Sequence, residues 1–342
     1  MKTKSILLAG WLGITLTSAI AQTTNYPTIG QVIRVDPRLD KLIPKEAKIE
    51  VLASGFTWSE GPIWIRKGNY LLFSDVPENT IFKWTEKEGA KPFLTPSGYT
   101  GLGEYGGERG SNGLTIDTKG RLISCEHGDK RVTAMPLDGS GGKRTLADNY
   151  NGKRFCSPND VVAHSNGSYY FTDPPYGMRK GENDPDRETD GYGVYRIAPE
   201  RNGVPGQVSI VVSDLTRPNG VALSPDEKLL YVAQSDPKNP VLMVYPLQAD
   251  GSVGKGRIVF GPDAMKKQGF EGGFDGMKTD RDGNLWVTGA NGLLVLSAAG
   301  EFLGHIKIGN STANCAWGDD GSTLYITADM YLCRIRTTAK GW

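Results

Sequence analysis

The stretch Asn219-Gly-Val-Ala-Leu-Ser-Pro-Asp-Glu-Lys-Leu-Leu-Tyr-Val-Ala233 consists of a short apolar run, a polar turn and a second β-rich run. This order is typical of a β-hairpin, because turn-forming residues separate two runs with strand propensity. The same pattern occurs six times, at residues 60–75, 112–125, 159–173, 219–233, 275–288 and 314–327. Internal repetition of this kind indicates one structural unit that is used several times.

The residues between the hairpins add two more strands to each unit. A third β-rich run follows the hairpin, as at residues 131–135 and 194–197, and a fourth precedes the next unit, as at residues 208–212 and 302–306. Successive units begin 39 to 60 residues apart. Four short strands in each ~40–50 residues are the period of a β-propeller. The sequence therefore predicts an all-β, six-bladed β-propeller.

The two ends of the chain predict how the ring of blades closes. After residue 314 the chain has room for only three strands, and residues 48–53 carry the missing β-rich run. An N-terminal strand that completes the last blade would close the ring and remove the exposed strand edges. We therefore expect residues 48–342 to form a single propeller domain, with residues 22–47 as an N-terminal extension.

The composition excludes several classes of function. The 342 residues carry 39 Lys and Arg against 38 Asp and Glu, so no basic field is available for a nucleic acid backbone. Only three His are present, which argues against a His-rich zinc site. The 45 Gly agree with a fold made of many short strands and tight turns.

The N-terminus predicts export. Lys2 and Lys4 precede an apolar run that ends near residue 16, and Ala19-Ile-Ala21 is a cleavage-type sequence. This is the organisation of a secretory signal peptide, and we expect residues 1–21 to be removed. An uncleaved membrane anchor is the alternative. The run is shorter than the ~20 residues that cross a bilayer, so we expect no membrane insertion and a periplasmic or secreted protein.

The four cysteines leave two interpretations open. They are Cys125, Cys156, Cys315 and Cys333, and no two of them form a C-x-x-C motif. An exported protein can form disulfides, with three connectivities for four cysteines. Buried free thiols are the alternative.

The first residue of every repeat carries a side-chain oxygen. These residues are Glu60, Asn112, Asn159, Asn219, Asp275 and Asn314. They open the innermost strand of each blade, so we expect them to surround the central channel at one face. Carboxylate and amide oxygens without His or Cys are ligands for a hard cation, and Ca²⁺ suits such a flexible set best. Asn and Asp also begin strands because they suit turns, but that explanation does not account for Glu60.

The second strand of each repeat runs back toward the same face. We expect its end and the loop that follows to lie over the ring, a set that includes Asp75, Glu126, His127, Asp173, Tyr176 and Asp236. His127 is interpreted either as an acid or base of the pocket or as a buried wall residue. Two long loops, residues 97–111 and 178–191, enter the same face, either as lids or as ordinary surface loops.

Several of these motifs resemble the SMP-30/gluconolactonase family, the calcium-dependent lactonases that also include regucalcin. The resemblance rests on Glu60-Gly-Pro with Trp64, on Ser157-Pro-Asn-Asp160, on Arg217-Pro-Asn-Gly220 and on Asp275-Gly-Met. Cys125-Glu-His-Gly128 resembles the secreted bacterial gluconolactonase branch. The chain departs from some relatives at Ser157, where they carry an Arg.

The resemblance implies a propeller with one divalent ion on its axis. It implies metal ligands at Glu60, Asn219 and Asp275, with Asn159 as a ligand or a substrate contact, and it makes Asp275 the proton donor and acceptor. Ca²⁺ is the expected ion, with Zn²⁺, Mg²⁺ and Mn²⁺ as alternatives.

The expected reaction is hydrolysis of a sugar lactone, such as gluconolactone, to the aldonic acid. Asn112, His127, Asn159 and Tyr176 are the expected substrate-binding residues. Two other functions stay open: the same site acting on other esters, lactones or organophosphates, and an exported propeller that binds a glycan or a protein without catalysis. The sequence does not indicate an oligomeric state.

Overall fold

The computed structural model describes residues 25–341. The predicted signal peptide, residues 1–21, lies outside these residues. Two strands precede the first blade: β1 (Gln31–Arg34) and β2 (Ile49–Ser54). A short 3₁₀ helix, Pro37–Lys41, lies between them.

Six antiparallel sheets follow one another along the chain, as the repeats predict. The strands of blade 1 are β3 (Ser59–Ile65), β4 (Tyr70–Asp75), β5 (Thr80–Thr85) and β6 (Gly89–Leu94). Those of blade 2 are β7 (Ser111–Ile116), β8 (Arg121–Glu126), β9 (Arg131–Pro136) and β10 (Arg144–Ala147). A small hairpin, β11 (Asn149–Tyr150) and β12 (Lys153–Arg154), leads to blade 3, which consists of β13 (Val161–Ala163), β14 (Tyr169–Asp173), β15 (Gly193–Ile197) and β16 (Val208–Val212).

The remaining blades complete the ring. Blade 4 consists of β17 (Pro218–Leu223), β18 (Leu229–Gln234), β19 (Leu242–Pro246) and β20 (Arg257–Phe260). Blade 5 contains β21 (Phe274–Thr279), β22 (Leu285–Gly289), β23 (Gly292–Leu296) and β24 (Phe302–Lys307), and blade 6 contains β25 (Asn314–Gly318), β26 (Thr323–Ala328) and β27 (Tyr331–Arg336). Among the described residues, α1 (Pro262–Lys267) is the one α-helix, and a second 3₁₀ turn spans Gly181–Asn183.

The N-terminal strand closes the ring as predicted. Strand β2 pairs antiparallel with β27, with Ile49 opposite Ile335 and Ser54 opposite Tyr331. Ile49 and Leu52 bury their side chains against this last blade and the first. The innermost strand of each blade contacts the innermost strand of the next, and β25 contacts β3. The prediction of a six-bladed propeller closed by residues 48–53 is therefore confirmed.

The N-terminal extension is more integrated into the fold than the repeats predict. Strand β1 pairs with β24 and becomes a fifth strand of blade 5. Leu39 and Ile43 are fully buried beside blades 5 and 6. The Arg34 guanidinium donates to the carbonyls of Ile43 (3.0 Å) and Pro44 (2.7 Å), which fixes the turn between β1 and β2.

The apolar faces of neighbouring blades pack against each other to form the core. Trp286 of blade 5 meets Trp317 of blade 6 edge to face, with ring centroids 5.0 Å apart. The four cysteines lie in this interior as free, buried thiols, so the disulfide interpretation does not hold in the structure. Between residues 25 and 341, no helix has the length and apolar character that crossing a membrane requires.

Candidate active site

The six residues that open the repeats surround one mouth of the central channel. Five of them are almost completely buried, namely Glu60, Asn112, Asn159, Asn219 and Asn314, whereas Asp275 is partly exposed. A β-bulge follows the opening residue in blades 1, 2, 4 and 5, where the register with the second strand shifts by one residue. Such a bulge re-aims the side chain beside it, and here it lies directly at the ring.

Glycine after the opening residue permits the close approach of neighbouring blades. A Cβ on Gly220 would lie 2.2 Å from the carbonyl oxygen of Asp275, and a Cβ on Gly276 would lie 2.1 Å from the Asn314 amide carbon. A Cβ on Gly113 would lie 2.6 Å from the carbonyl oxygen of the next opening residue. Any larger side chain at these positions would push the ring residues apart.

Hydroxyl groups of the second strands fix the backbone of the ring. Ser74 donates to the carbonyl of Asn112 (2.9 Å) and Thr172 to that of Asn219 (2.6 Å). Thr327 donates to the carbonyl of Asn314, the opening residue of its own blade (3.2 Å). The repeats show a Ser or Thr near the end of most second strands, so this recurring hydroxyl was readable in the sequence.

The two carboxyl groups of the ring, Glu60 and Asp275, have raised pKa values. Burial raises the pKa of Glu60 to about 8, and the charge of Asp160 adds to the rise. Burial and the charge of Glu60 likewise raise the pKa of Asp275 well above its ordinary range. Both charged forms are therefore disfavoured in the cation-free protein.

Each of these carboxyl groups has an amide neighbour. Asn314 lies beside Glu60 and Asn219 beside Asp275, and each amide partly offsets the rise in the pKa of its neighbour. The Asn314 Oδ1 in turn accepts from the backbone N–H of Cys315 (2.9 Å) and from Lys278 Nζ (3.4 Å). Lys278 and the backbone of Cys315 therefore hold the Asn314 amide in place.

Asn112 presents an unpartnered acceptor to the site. Its Nδ2 lies 3.3 Å from the Nε2 of His127, but its Oδ1 is buried without a hydrogen-bond partner among the described residues. An orphaned buried acceptor is costly, and a ligand hydroxyl or a cation would satisfy it. Asn112 therefore has the character of a ligand-binding residue.

His127 lies behind Asn112 and not in the open cleft. Its side chain is fully buried, and its Nδ1 lies 3.5 Å from the Oε2 of Glu108. Burial lowers the pKa of His127 to about 4, so the ring is neutral at physiological pH. Of the two interpretations from the sequence, the buried wall residue fits this placement. A direct substrate contact through His127 would require the groups above it to move.

Tyr176 lies on the same face, beside blade 4. Its hydroxyl group hydrogen-bonds to Ser235, and burial raises its pKa to about 12. The charge of Asp275 contributes to that rise, which places the two side chains near each other. A cleft of about 250 Å³ opens beside Asp275, with a lining that includes Trp58, Ser235, Gly273, Ser311 and Thr312.

Two acidic residues expected over the ring have a different orientation. Asp75 accepts hydrogen bonds from the backbone N–H groups of Thr57 (3.0 Å) and Trp58 (3.1 Å). Asp173 does the same for the loop that enters blade 3. Each carboxylate thus fixes the loop that leads into its blade. Two backbone N–H groups of that loop lie opposite the end of the strand and would otherwise have no acceptor.

The two long loops of this face contact each other. The Tyr105 hydroxyl donates to the carbonyl of Gly177 (2.7 Å), and the Arg179 guanidinium lies 5.0 Å from the centre of the Tyr105 ring. Gly177 also packs against His127, where a Cβ would lie 2.5 Å from the His127 side chain. The loops therefore form a joint cover over His127 and its neighbours.

The residues of the ring fit a hard divalent cation. Two mutually repelling carboxyl groups, neighbouring amides and an orphaned amide oxygen form the donor set that such an ion prefers. No three His, Cys, Asp or Glu side chains between residues 25 and 341 form a metal-binding group. Amide oxygens would therefore have to complete the coordination of any ion bound here.

Sequence reasoning missed Glu108 and Lys278. Glu108 lies in an irregular loop with no repeat pattern, so nothing indicated which way it faces. Lys278 could have been noticed in the sequence, because it is the one charged residue at the fourth position of the six inner-strand repeats.

A six-bladed propeller with acids and amides around one mouth of its axis defines the structural class of this protein. Residues 58–329 match the model of the SMP-30/gluconolactonase/LRE-like family, and the chain belongs to that family. The gluconolactonase of Zymomonas mobilis is 38% identical over 333 residues, which cover 94% of this chain and 90% of the relative.

Two further relatives agree with this assignment. A Staphylococcus aureus lactonase is 28% identical over 277 residues, which cover 78% of this chain and 74% of that protein. The structure of a Xanthomonas campestris gluconolactonase superposes with a TM-score of 0.74 at 27% identity, covering 92% of this chain and 99% of the other.

Proposed function

We propose that this protein hydrolyses a sugar lactone, such as gluconolactone, to the aldonic acid, with Ca²⁺ bound at the axial ring. The observation that carries the proposal is the pair of ring carboxyl groups, Glu60 and Asp275, whose pKa values are raised by burial and by nearby carboxylates, Asp160 beside Glu60 and Glu60 beside Asp275. Such a pair needs a counter-charge, and it lies at the mouth of a cleft. The lactonases and gluconolactonases among the relatives support the choice of substrate.

Glu60, Asn219 and Asp275 would hold the cation, with Asn159 as a fourth ligand or a substrate contact. A bound divalent cation would supply Lewis-acid polarisation of the lactone carbonyl. Asn314 lies beside Glu60, and Lys278 donates a hydrogen bond to the Oδ1 of Asn314. The carboxylates become fully ionised only with such a counter-charge, which links cation binding to the proton balance of the site.

Asp275 would move the proton of the reaction. A water molecule adds to the lactone carbonyl carbon while Asp275 accepts its proton. The bond between that carbon and the ring oxygen then breaks, and the same proton passes to the ring oxygen, which becomes a hydroxyl group. A carboxylate can take both roles, because it accepts a proton as a general base and returns it as a general acid.

Polar groups around the cleft would bind the sugar hydroxyls. The orphaned Oδ1 of Asn112 accepts one hydrogen bond, and the Tyr176 and Ser235 hydroxyl groups offer a donor and an acceptor on the opposite side. His127 then acts through Asn112 as a positioning residue. These roles leave the cation ligands free of any task in substrate selection.

A lactone panel tests the proposed function. Purified protein would be assayed by acid release on gluconolactone, an unsubstituted lactone, a homoserine lactone, an aryl ester and an organophosphate, with chelator and after Ca²⁺ is restored. We expect turnover of gluconolactone that chelator abolishes and Ca²⁺ restores. Turnover of another class of substrate but not of gluconolactone, or no turnover of any substrate, would contradict the proposal.

We also propose that the protein is exported to the periplasm or secreted. The support is the sequence of residues 1–21, with its basic start, short apolar run and Ala19-Ile-Ala21. Cleavage would be seen as a mature chain that begins at Gln22 when the protein is expressed with its native N-terminus. A chain that retains Met1 in the membrane fraction would contradict it.

A further inference from the structure

Glu108 extends from the loop of residues 97–110 toward the ring. Its Oε2 lies 3.5 Å from the Nδ1 of His127, and the Nε2 of His127 lies 3.3 Å from the Nδ2 of Asn112 in the ring. Its side chain is 32% exposed, in contrast to the buried ring residues. A molecule that enters the cleft from outside can therefore reach Glu108.

The backbone around Glu108 is held on both sides. The N–H of Gly110 donates to the carbonyl of Val76 (2.8 Å), and the N–H of Gly128 donates to the carbonyl of Arg109 (3.1 Å). At the start of the loop, Asn79 Oδ1 accepts from the backbone N–H of three consecutive residues beginning at Ser97. The position of Glu108 is therefore set by the fold and is not that of a free surface loop.

The partners of Glu108 argue against a structural ion pair. Within the described part of the chain, no Lys or Arg lies within ion-pair distance of its carboxylate, and the nearest ring nitrogen is the Nδ1 of His127 at 3.5 Å. That nitrogen has no hydrogen-bond partner among residues 25–341. When Nε2 accepts from Asn112, the proton of the neutral ring lies on Nδ1 and faces Glu108.

Glu108 is also separate from the predicted cation ligands. It forms no three-member cluster with other acids, His or Cys at metal-binding distance, within the limits of residues 25–341. Its carboxylate has acceptor positions to spare, because the single ring N–H that faces it could occupy only one of the several that a carboxylate offers.

We propose that Glu108 is a specificity-determining residue that accepts hydrogen bonds from the hydroxyl groups of the lactone ring, with His127 as the positioning residue behind it. This inference rests on the proposed function and names the chemical feature that the site selects, namely a polyhydroxylated lactone. A site built to hydrogen-bond a substrate hydroxyl group discriminates strongly against a substrate that lacks it, because the acceptor of the site is then left unpaired.

The test compares two lactones in three variants. Glu108→Gln keeps the shape but loses the charge, Glu108→Ala removes the side chain, and Glu104→Gln alters an exposed acid of the same loop as a matched control. We expect kcat/KM for gluconolactone to fall about 10-fold in Glu108→Gln and about 100-fold in Glu108→Ala. In both Glu108 variants, kcat/KM for an unsubstituted lactone and the Kd for Ca²⁺ should change by less than about 3-fold. In Glu104→Gln, kcat/KM for both lactones and the Kd for Ca²⁺ should also change by less than about 3-fold.

The outcomes separate this inference from the proposed function. Equal losses on both lactones would overturn the assigned role, and so would an unchanged preference in both Glu108 variants. The thermal unfolding temperature of each variant distinguishes a folding defect from a loss of substrate recognition. Glu108→Gln is the variant least able to cause a folding defect, because it keeps the shape of the side chain. A wild-type protein that hydrolyses neither lactone would overturn the proposed function and this inference with it.

Discussion

At the scale of single residues, the site depends on placing acids where their charge is disfavoured. Burial and the charge of Asp160 raise the pKa of Glu60, and burial and the charge of Glu60 raise that of Asp275. The cation-free protein therefore keeps protons on groups that would be ionised in the unfolded chain. A bound cation would replace those protons.

This proton balance predicts how stability depends on pH. The pKa of Glu60 is about 8 in the folded, cation-free protein and 4.5 ordinarily, so between these values the folded state binds more protons than the unfolded state. The contribution of Glu60 to stability is then fully present below pH 4.5 and is lost as pH rises toward 8. We expect chelated protein to unfold at a lower temperature at pH 8 than at pH 5.5, and added Ca²⁺ to stabilise it more at pH 8. Equal stabilisation by Ca²⁺ at both pH values would contradict the assignment.

At the scale of the element, the inner strand is specialised where it meets its neighbours. The Gly that follows the opening residue was visible in the sequence in four repeats, but its reason was not, because the close approach of the next blade is a tertiary contact. The ring oxygens were predictable because they recur at one position. Glu108 and strand β1 were not, because both lie outside the repeats and carry no periodic pattern.

Gly276 gives this argument a direct test. In Gly276→Ala the new Cβ would lie 2.1 Å from the Asn314 amide, so Asn314 must move and would release Glu60. We expect a loss of about 1–3 kcal/mol in the free energy of unfolding and a fall of at least about 10-fold in Ca²⁺ affinity. Calorimetric titration and chemical unfolding measure the two effects. Gly142→Ala is the control, because no atom lies within 4 Å of its added Cβ.

At the scale of the whole molecule, the chain is a ring closed by its own N-terminus. The closing strand β2 and its partner β27 could be predicted, because counting the strands after residue 314 leaves one missing. The extra strand on blade 5 and the burial of Leu39 and Ile43 mean that residues 25–47 belong to the same folded unit.

Removing the closing strand should open the ring. Deletion through Ala53 exposes β27 along its length and removes the buried side chains of Ile49 and Leu52, each worth about 1.5–3 kcal/mol. We expect the truncated chain to unfold far below a chain that begins at Gln22, or to be insoluble. Calorimetry on both chains provides the comparison, and equal unfolding temperatures would show that β2 does not close the ring.

The central claim is that Asp275 of the cation-binding ring transfers the proton in lactone hydrolysis. The most direct measurement is the turnover of gluconolactone by Asp275→Asn at saturating Ca²⁺, with saturation verified by a binding isotherm. Asn219→Ala, which removes a neutral ligand, is measured alongside. We predict weaker Ca²⁺ binding in both variants, with turnover recovered at high Ca²⁺ in Asn219→Ala but lost in Asp275→Asn. Wild-type turnover in Ca²⁺-saturated Asp275→Asn would contradict the account.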